Sequence, residues 1–165
     1  MTESTSHVPA AQDALELLSE AQDEILDLFD RYDVLAADGA GSDERAALAQ
    51  EICTLLSVNV EIQRELLQPA ARDALADATP LDDALEAHAA LVATLYDVQG
   101  GDATEPRFDA GVRVLHELFV DCMELERAQL FPALRDSTLD LEALGGELAE
   151  LEERLLDADE GPGRA

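Results

Sequence analysis

The sequence predicts an all-α protein, an antiparallel up-and-down four-helix bundle with a short fifth helix at the C-terminus. Apolar residues recur at steps of three and four along nearly the whole chain, and no strand-like alternation competes with that period. Four such amphipathic segments are joined by short connections, the pattern of consecutive antiparallel neighbours. Of 165 residues, 47% are apolar, enough for one domain that buries roughly 70% of the surface of its unfolded chain.

The first segment, 12–37, places Leu15, Leu18, Gln22, Ile25, Phe29 and Tyr32 on one stripe and stops at the turn-forming Asp38-Gly39-Ala40-Gly41. The second opens at Ser42 or Asp43 as the capping residue, with a stripe of Leu48, Ile52, Leu55, Asn59, Ile62 and Leu66. Pro69 is expected to kink it rather than end it, because residues 70–78 still read as helical. Thr79-Pro80 starts the third, with Leu81, Leu85, His88, Leu91 or Val92, and Leu95 inward, and Gly100-Gly101 ends it. The fourth, 106–135, turns Val112, Leu115, Phe119, Cys122, Leu125 or Glu126, and Gln129 inward. Leu141, Leu144, Leu148, Leu151 and Leu155 form a narrow seam on the last segment, suited to lying across the bundle or to pairing with a second chain. The domain is expected over residues 11–156, between flexible tails at 1–10 and 157–165.

Charge removes several functions. There are 38 Asp and Glu against ten Arg and no Lys, a formal net charge of -28, so the basic patch that nucleic acid or an anionic membrane requires is missing. No apolar run approaches the ~20 residues of a membrane span, and residues 1–10 lack a secretory pattern. The expectation is a cytoplasmic protein, and its two cysteines, Cys53 and Cys122, suit a reducing compartment. Two explanations of the acidic skin stay open: a genome that prefers Arg to Lys, and a salt-rich, halophilic cytoplasm in which such a surface stays hydrated.

Each stripe is interrupted near its middle by a polar or sulfur-bearing residue: Gln22, then Asn59 with Gln63, then His88, then Cys122 with Glu126. The two i,i+4 pairs share a helix face one turn apart, so both can point to the bundle axis. A partial repeat relates them. Shifting residues 59–73 by 63 positions lays Asn59, Gln63 and Arg64 on Cys122, Glu126 and Arg127, and Pro69 on Pro132, with seven of the fifteen positions identical. An interior polar cluster with one interruption from each helix, helices two and four being equivalent halves, is the expectation.

The paired positions ten residues before a proline, the Phe131-Pro132-Ala133-Leu134-Arg135 ending and the following Leu139-Asp140-Leu141-Glu142-Ala143-Leu144 resemble a hemerythrin-like, or HHE cation-binding, domain. The resemblance covers roughly residues 11–156. It implies a non-haem di-iron centre, used in several members for oxygen binding or for iron and oxygen sensing. The implied ligands are His on helix one, His-x-x-x-Glu on helix two, His on helix three and His-x-x-x-Glu on helix four. Carried across, those positions hold Gln22, Asn59 with Gln63, His88, and Cys122 with Glu126, so only His88 and Glu126 keep the family's ligand types. Neutral amides replace imidazole and carboxylate, leaving one carboxylate to balance two cations. Di-iron is therefore not expected.

Two uses of the remnant follow. One is a metal-free, hydrogen-bonded polar layer in a binding, scaffold or regulatory module that is not an enzyme. The other is a mononuclear, zinc-like site of His88, Cys122 and Glu126 with an open position. A redox role for Cys122 is weaker, because burial among carboxylates disfavours thiolate. No nucleophile elbow or phosphate loop supports catalysis. His7 falls in the tail, and His116 reads as a surface or interhelical residue. A protein partner stays open, as does the choice between monomer and a homodimer through the C-terminal helix.

Overall fold

The computed structural model describes residues 12–159. The tail expected at 1–10, with His7, lies outside them, as do residues 160–165. Among the described residues the secondary structure is helical: α1 (Ala14–Ala37), α2 (Ser42–Ile62), α3 (Gln68–Ala74), α4 (Thr79–Gln99), α5 (Arg107–Leu125), α6 (Phe131–Arg135) and α7 (Leu141–Asp159). One π-helical turn, Gln63–Leu67, joins α2 to α3, and another, Glu126–Leu130, joins α5 to α6. The described residues thus form five rods.

Local chemistry explains the rod ends. The Asp13 side chain accepts a hydrogen bond from the Glu16 amide at 2.9 Å and caps α1. Past the other end, Gly39 at φ 74° lets the Ala40 amide reach back to the Leu35 carbonyl and the Gly39 amide to the Ala36 carbonyl. Ser42 is the first residue of α2 rather than its cap, a position held by Gly41. The expected helix over 70–78 ends at Ala74. Leu75 turns extended and packs against the apolar core, and the Thr79 amide and hydroxyl both donate to Asp77 Oδ1 in the turn that starts α4.

The topology is legible in which core each helix meets. Two apolar clusters fill the interior. α1 contributes Leu15 and Leu18 to one, then Ile25 and Phe29 to the other; α4 runs the same way, from Leu81 to Leu91 and Leu95. The second and fourth rods run in reverse, from Ile52 and Leu56 to Ile62 and Leu67, and from Leu115 and Phe119 to Leu130 and Leu134. This is the up-down-up-down bundle the period predicts, with α1 packed on α2 and α5, and α4 on α2 and α5. At one end Tyr32 Oη and Arg45 Nη1 donate to Asp109 Oδ1 at 2.6 and 2.7 Å, tying α1, α2 and α5. Those two bonds, the tyrosine's foremost, hold the Asp109 carboxyl below its ordinary range against the opposing effect of burial.

Several inward positions differ from the spacing. Leu56 rather than Leu55 is fully buried on α2. Leu67 replaces Leu66, and Leu130 replaces Gln129, which is exposed. In both of the latter the π turn adds a residue to the helical turn, so the inward register advances by one. The fifth helix is the shortest of the five rods, as expected, but at 19 residues it runs on through Asp157–Asp159 of the expected tail. Its leucines Leu144, Leu148 and Leu151 are buried in the cluster that holds Leu15 and Leu18, with Leu141 and Leu155 packed at the edge. α7 lies against α1 and α2, so its seam is filled from within the chain. Gly145 permits the crossing, because a Cβ there would collide with the Gln12 carbonyl oxygen and sit 2.9 Å from the Ala14 nitrogen.

Candidate functional site

The two apolar clusters meet at a polar layer. Along every rod of the bundle the change from one cluster to the other falls at an interrupted position: Gln22 on α1, Asn59 and Gln63 on the second rod, His88 on α4, Cys122 and Glu126 on the fourth. All six are buried, with Gln22 at 1% and Glu126 and Gln63 at 2% exposure. Both π turns begin in this layer, one at Gln63 and one at Glu126. The sequence repeat is therefore also a backbone repeat, and each turn lets the rod keep a polar side chain inward while its apolar stripe shifts register.

The layer divides into two networks. In the first, Gln22 Nε2 donates to Glu126 Oε1 at 2.8 Å, while Gln22 Oε1 accepts from Arg127 Nε at 3.0 Å. That orientation is the one the chemistry demands, since a carboxylate accepts and a guanidinium donates. Arg127 is held in turn by the Ser19 carbonyl at 2.9 Å and Asp23 Oδ1 at 3.0 Å. Glu126 Oε2 faces His88 Nε2 at 3.5 Å and makes no hydrogen bond. In the second network Gln63 Nε2 donates to Asn59 Oδ1 at 2.8 Å, and Asn59 Nδ2 has no partner. An unpaired buried polar atom costs about 1–3 kcal/mol, so neither network is closed.

Cys122 sits one helical turn before Glu126. Its thiol is pushed up to about 12, first by burial and then by the charges of Glu126 and Asp121. Burial alone raises Cys53 to about 11. Both are free thiols held in the protonated, unreactive form.

The fit to a di-iron centre is poor. Three of the six positions present neutral amides, one presents a protonated thiol, and Glu126 Oε1 is already bound by Gln22. One imidazole and one carboxylate remain, and among the six layer residues no second carboxylate is in place to bridge two cations. Among the described residues, the trio of His, Cys, Asp or Glu donors that gathers within 4.8 Å is Asp30, Asp33 and His116, not His88, Cys122 and Glu126.

Sequence reasoning located the six interior residues and missed Arg127. Its counterpart in the repeat, Arg64, lies on the surface paired with Glu61 at 2.6 Å, so the repeat itself gave no hint. A signal was available in the charge pattern, because a cation directly after a buried glutamate is placed to reach that glutamate's partner. His116 proves interhelical, its side chain 17% exposed and set between Asp30 and Asp33 of α1.

No family model and no curated protein matches the chain. Its structure is similar to a crystal structure of a hemerythrin HHE cation-binding domain-containing protein from Mycobacterium kansasii, with a TM-score of 0.72 over 89% of each chain at 22% sequence identity. The chain has the hemerythrin-like helical-bundle fold. No helix among the described residues is long and apolar enough to cross a membrane.

Proposed function

We propose that this chain is a hemerythrin-like domain whose di-iron site has become a metal-free polar layer, and that it acts as a binding, scaffold or regulatory module rather than as an enzyme. One observation carries the reading: the Gln22 amide joins Glu126 to Arg127 through bonds of 2.8 and 3.0 Å. An arginine, through a neutral relay, compensates the carboxylate that a metal would otherwise balance. The expected cytoplasmic setting and salt-adapted surface belong to the same reading.

A second reading places a single zinc on His88, Cys122 and Glu126, and the bare Glu126 Oε2 beside His88 Nε2 favours it. Against it, the donor atoms of His88, Cys122 and Glu126 do not gather within 4.8 Å of one another, and Glu126 Oε1 is already bound by Gln22.

Metal analysis after growth with iron and with zinc, without chelators, separates the readings. The metal-free layer predicts no iron and no metal content that depends on Cys122. Iron near two per chain overturns it, and a zinc removed by Cys122→Ala establishes the second reading instead. The combined change Gln22→His, Asn59→His, Gln63→Glu and Cys122→His should bring iron binding to the same scaffold.

A further inference from the structure

Away from the polar layer, α1 and α5 bring a second group of donors together. One ligand atom each from Asp30, Asp33 and His116 lies within 4.8 Å of the others. We infer that Asp30, Asp33 and His116 form a site for one divalent transition-metal cation of the zinc type, bound by an imidazole nitrogen, two carboxylate oxygens and water.

The imidazole is built into the fold. Its ring lies flat on Phe29, with centroids 4.7 Å apart and planes within 1°, and Phe29 rests in turn on Phe119 at 5.7 Å. Phe29 and Phe119 are both buried. A ring clamped this way has little rotational freedom to lose on binding, so much of the ordering cost is met by the core.

One of the two distances to the ring matches coordination better than hydrogen bonding. His116 Nδ1 stands 3.4 Å from Asp33 Oδ2, and Nε2 stands 4.0 Å from Asp30 Oδ1. Both exceed the roughly 2.7–2.9 Å of a charge-assisted N–H to carboxylate bond. Nitrogen and oxygen each about 2.0–2.2 Å from one tetrahedral ion are separated by roughly 3.3–3.5 Å, which the Asp33 contact on Nδ1 meets, while Asp30, nearest the other ring nitrogen, has to swing across to join it. The two exposed carboxylates have the mobility to close the rest of the shell.

Charge supplies the need. Asp30 and Asp33 lie three residues apart on one helix face, and their ion-pair contact among the described residues is His116, with no arginine on either. A divalent ion neutralises both carboxylates and leaves the imidazole neutral, its ligating form.

The test is equilibrium dialysis of the full chain against Zn²⁺ in molar KCl with millimolar Mg²⁺, which suppresses loose association with the acidic surface. One Zn²⁺ per chain is expected, weakened ~10-fold or more in His116→Gln and in Asp33→Asn and unchanged in His88→Gln. Asp33 is exposed, so Asp33→Asn keeps the test valid if loss of the Phe29 stack unfolds the histidine variant. Ring ¹⁵N resonances of His116, not those of His88, should move on titration. Equal uptake by wild type, His116→Gln and Asp33→Asn, or movement of His88 alone, overturns the proposal.

Discussion

The second and fourth rods use one backbone device for two electrostatic situations. Each enters a π turn at the inward residue that follows its i,i+4 partner, and each carries an arginine next and a proline six residues on. In the second rod the inward pair is Gln63 and Asn59, both neutral, joined by one bond of 2.8 Å, and Arg64 is left to the surface. In the fourth rod the inward residue is Glu126, and its charge draws in Gln22, His88 and, through Gln22, Arg127. A single carboxyl in place of an amide changes the role of the adjacent arginine. Arg127 crosses to Ser19, Gln22 and Asp23 of α1, while Arg64 stays on its own helix with Glu61.

The widest separation between the rods should appear on removing one amide from each. Gln22→Leu strips Glu126 Oε1 of its donor and Arg127 Nε of its acceptor, leaving the guanidinium its bonds to Ser19 and Asp23, and is expected to cost about 3 kcal/mol. Gln63→Leu adds only the Asn59 carbonyl oxygen to the Asn59 Nδ2 that is already unpaired, and should cost about 1 kcal/mol. Urea unfolding measures both, and equal losses would mean that Glu126 carries no charge worth compensating.

A smaller effect concerns the thiols. Both stand above the ordinary value of 9.0, so the stability they contribute is full below about 9 and is lost as pH rises through about 11 for Cys53 and about 12 for Cys122. Glu126→Gln removes one of the charges that raise Cys122 and should lower it towards Cys53. Alkylation of Cys122 at pH 9 is then expected to quicken by ~2–5-fold, with Cys53 as the unchanged internal control. An unchanged rate at Cys122 would separate the two groups electrostatically.

The smallest difference is expected from salt. Screening acts on the acidic exterior rather than on the buried layer, so molar KCl should raise the melting temperature of wild type and of Gln22→Leu by the same increment. A larger gain in the variant would place part of the charge problem inside the bundle.

Much of the site was legible beforehand because burial is periodic. Gln22, Asn59, Gln63, His88, Cys122 and Glu126 interrupt apolar stripes at similar depth, and a stripe that must face the core takes its interruptions inward. Gln129, Leu55 and Leu66 were misplaced inward. For Gln129 and Leu66, a π turn adds a residue without any residue type that announces it. The length of α7 was obscured by the acidic composition of residues 157–159, which continue the helix.

The sequence by itself determined the all-α bundle and the location of its polar layer, because periodicity and residue chemistry are local properties of the chain. Only the tertiary structure decided how that layer is wired. Gln22 and Glu126 are 104 residues apart and Gln22 and Arg127 are 105 apart, and the pair Asp30 and Asp33 on α1 meets His116 from α5. Such partners are chosen by which rods pack together and by where a buried charge finds its nearest donor, and no local pattern records that choice.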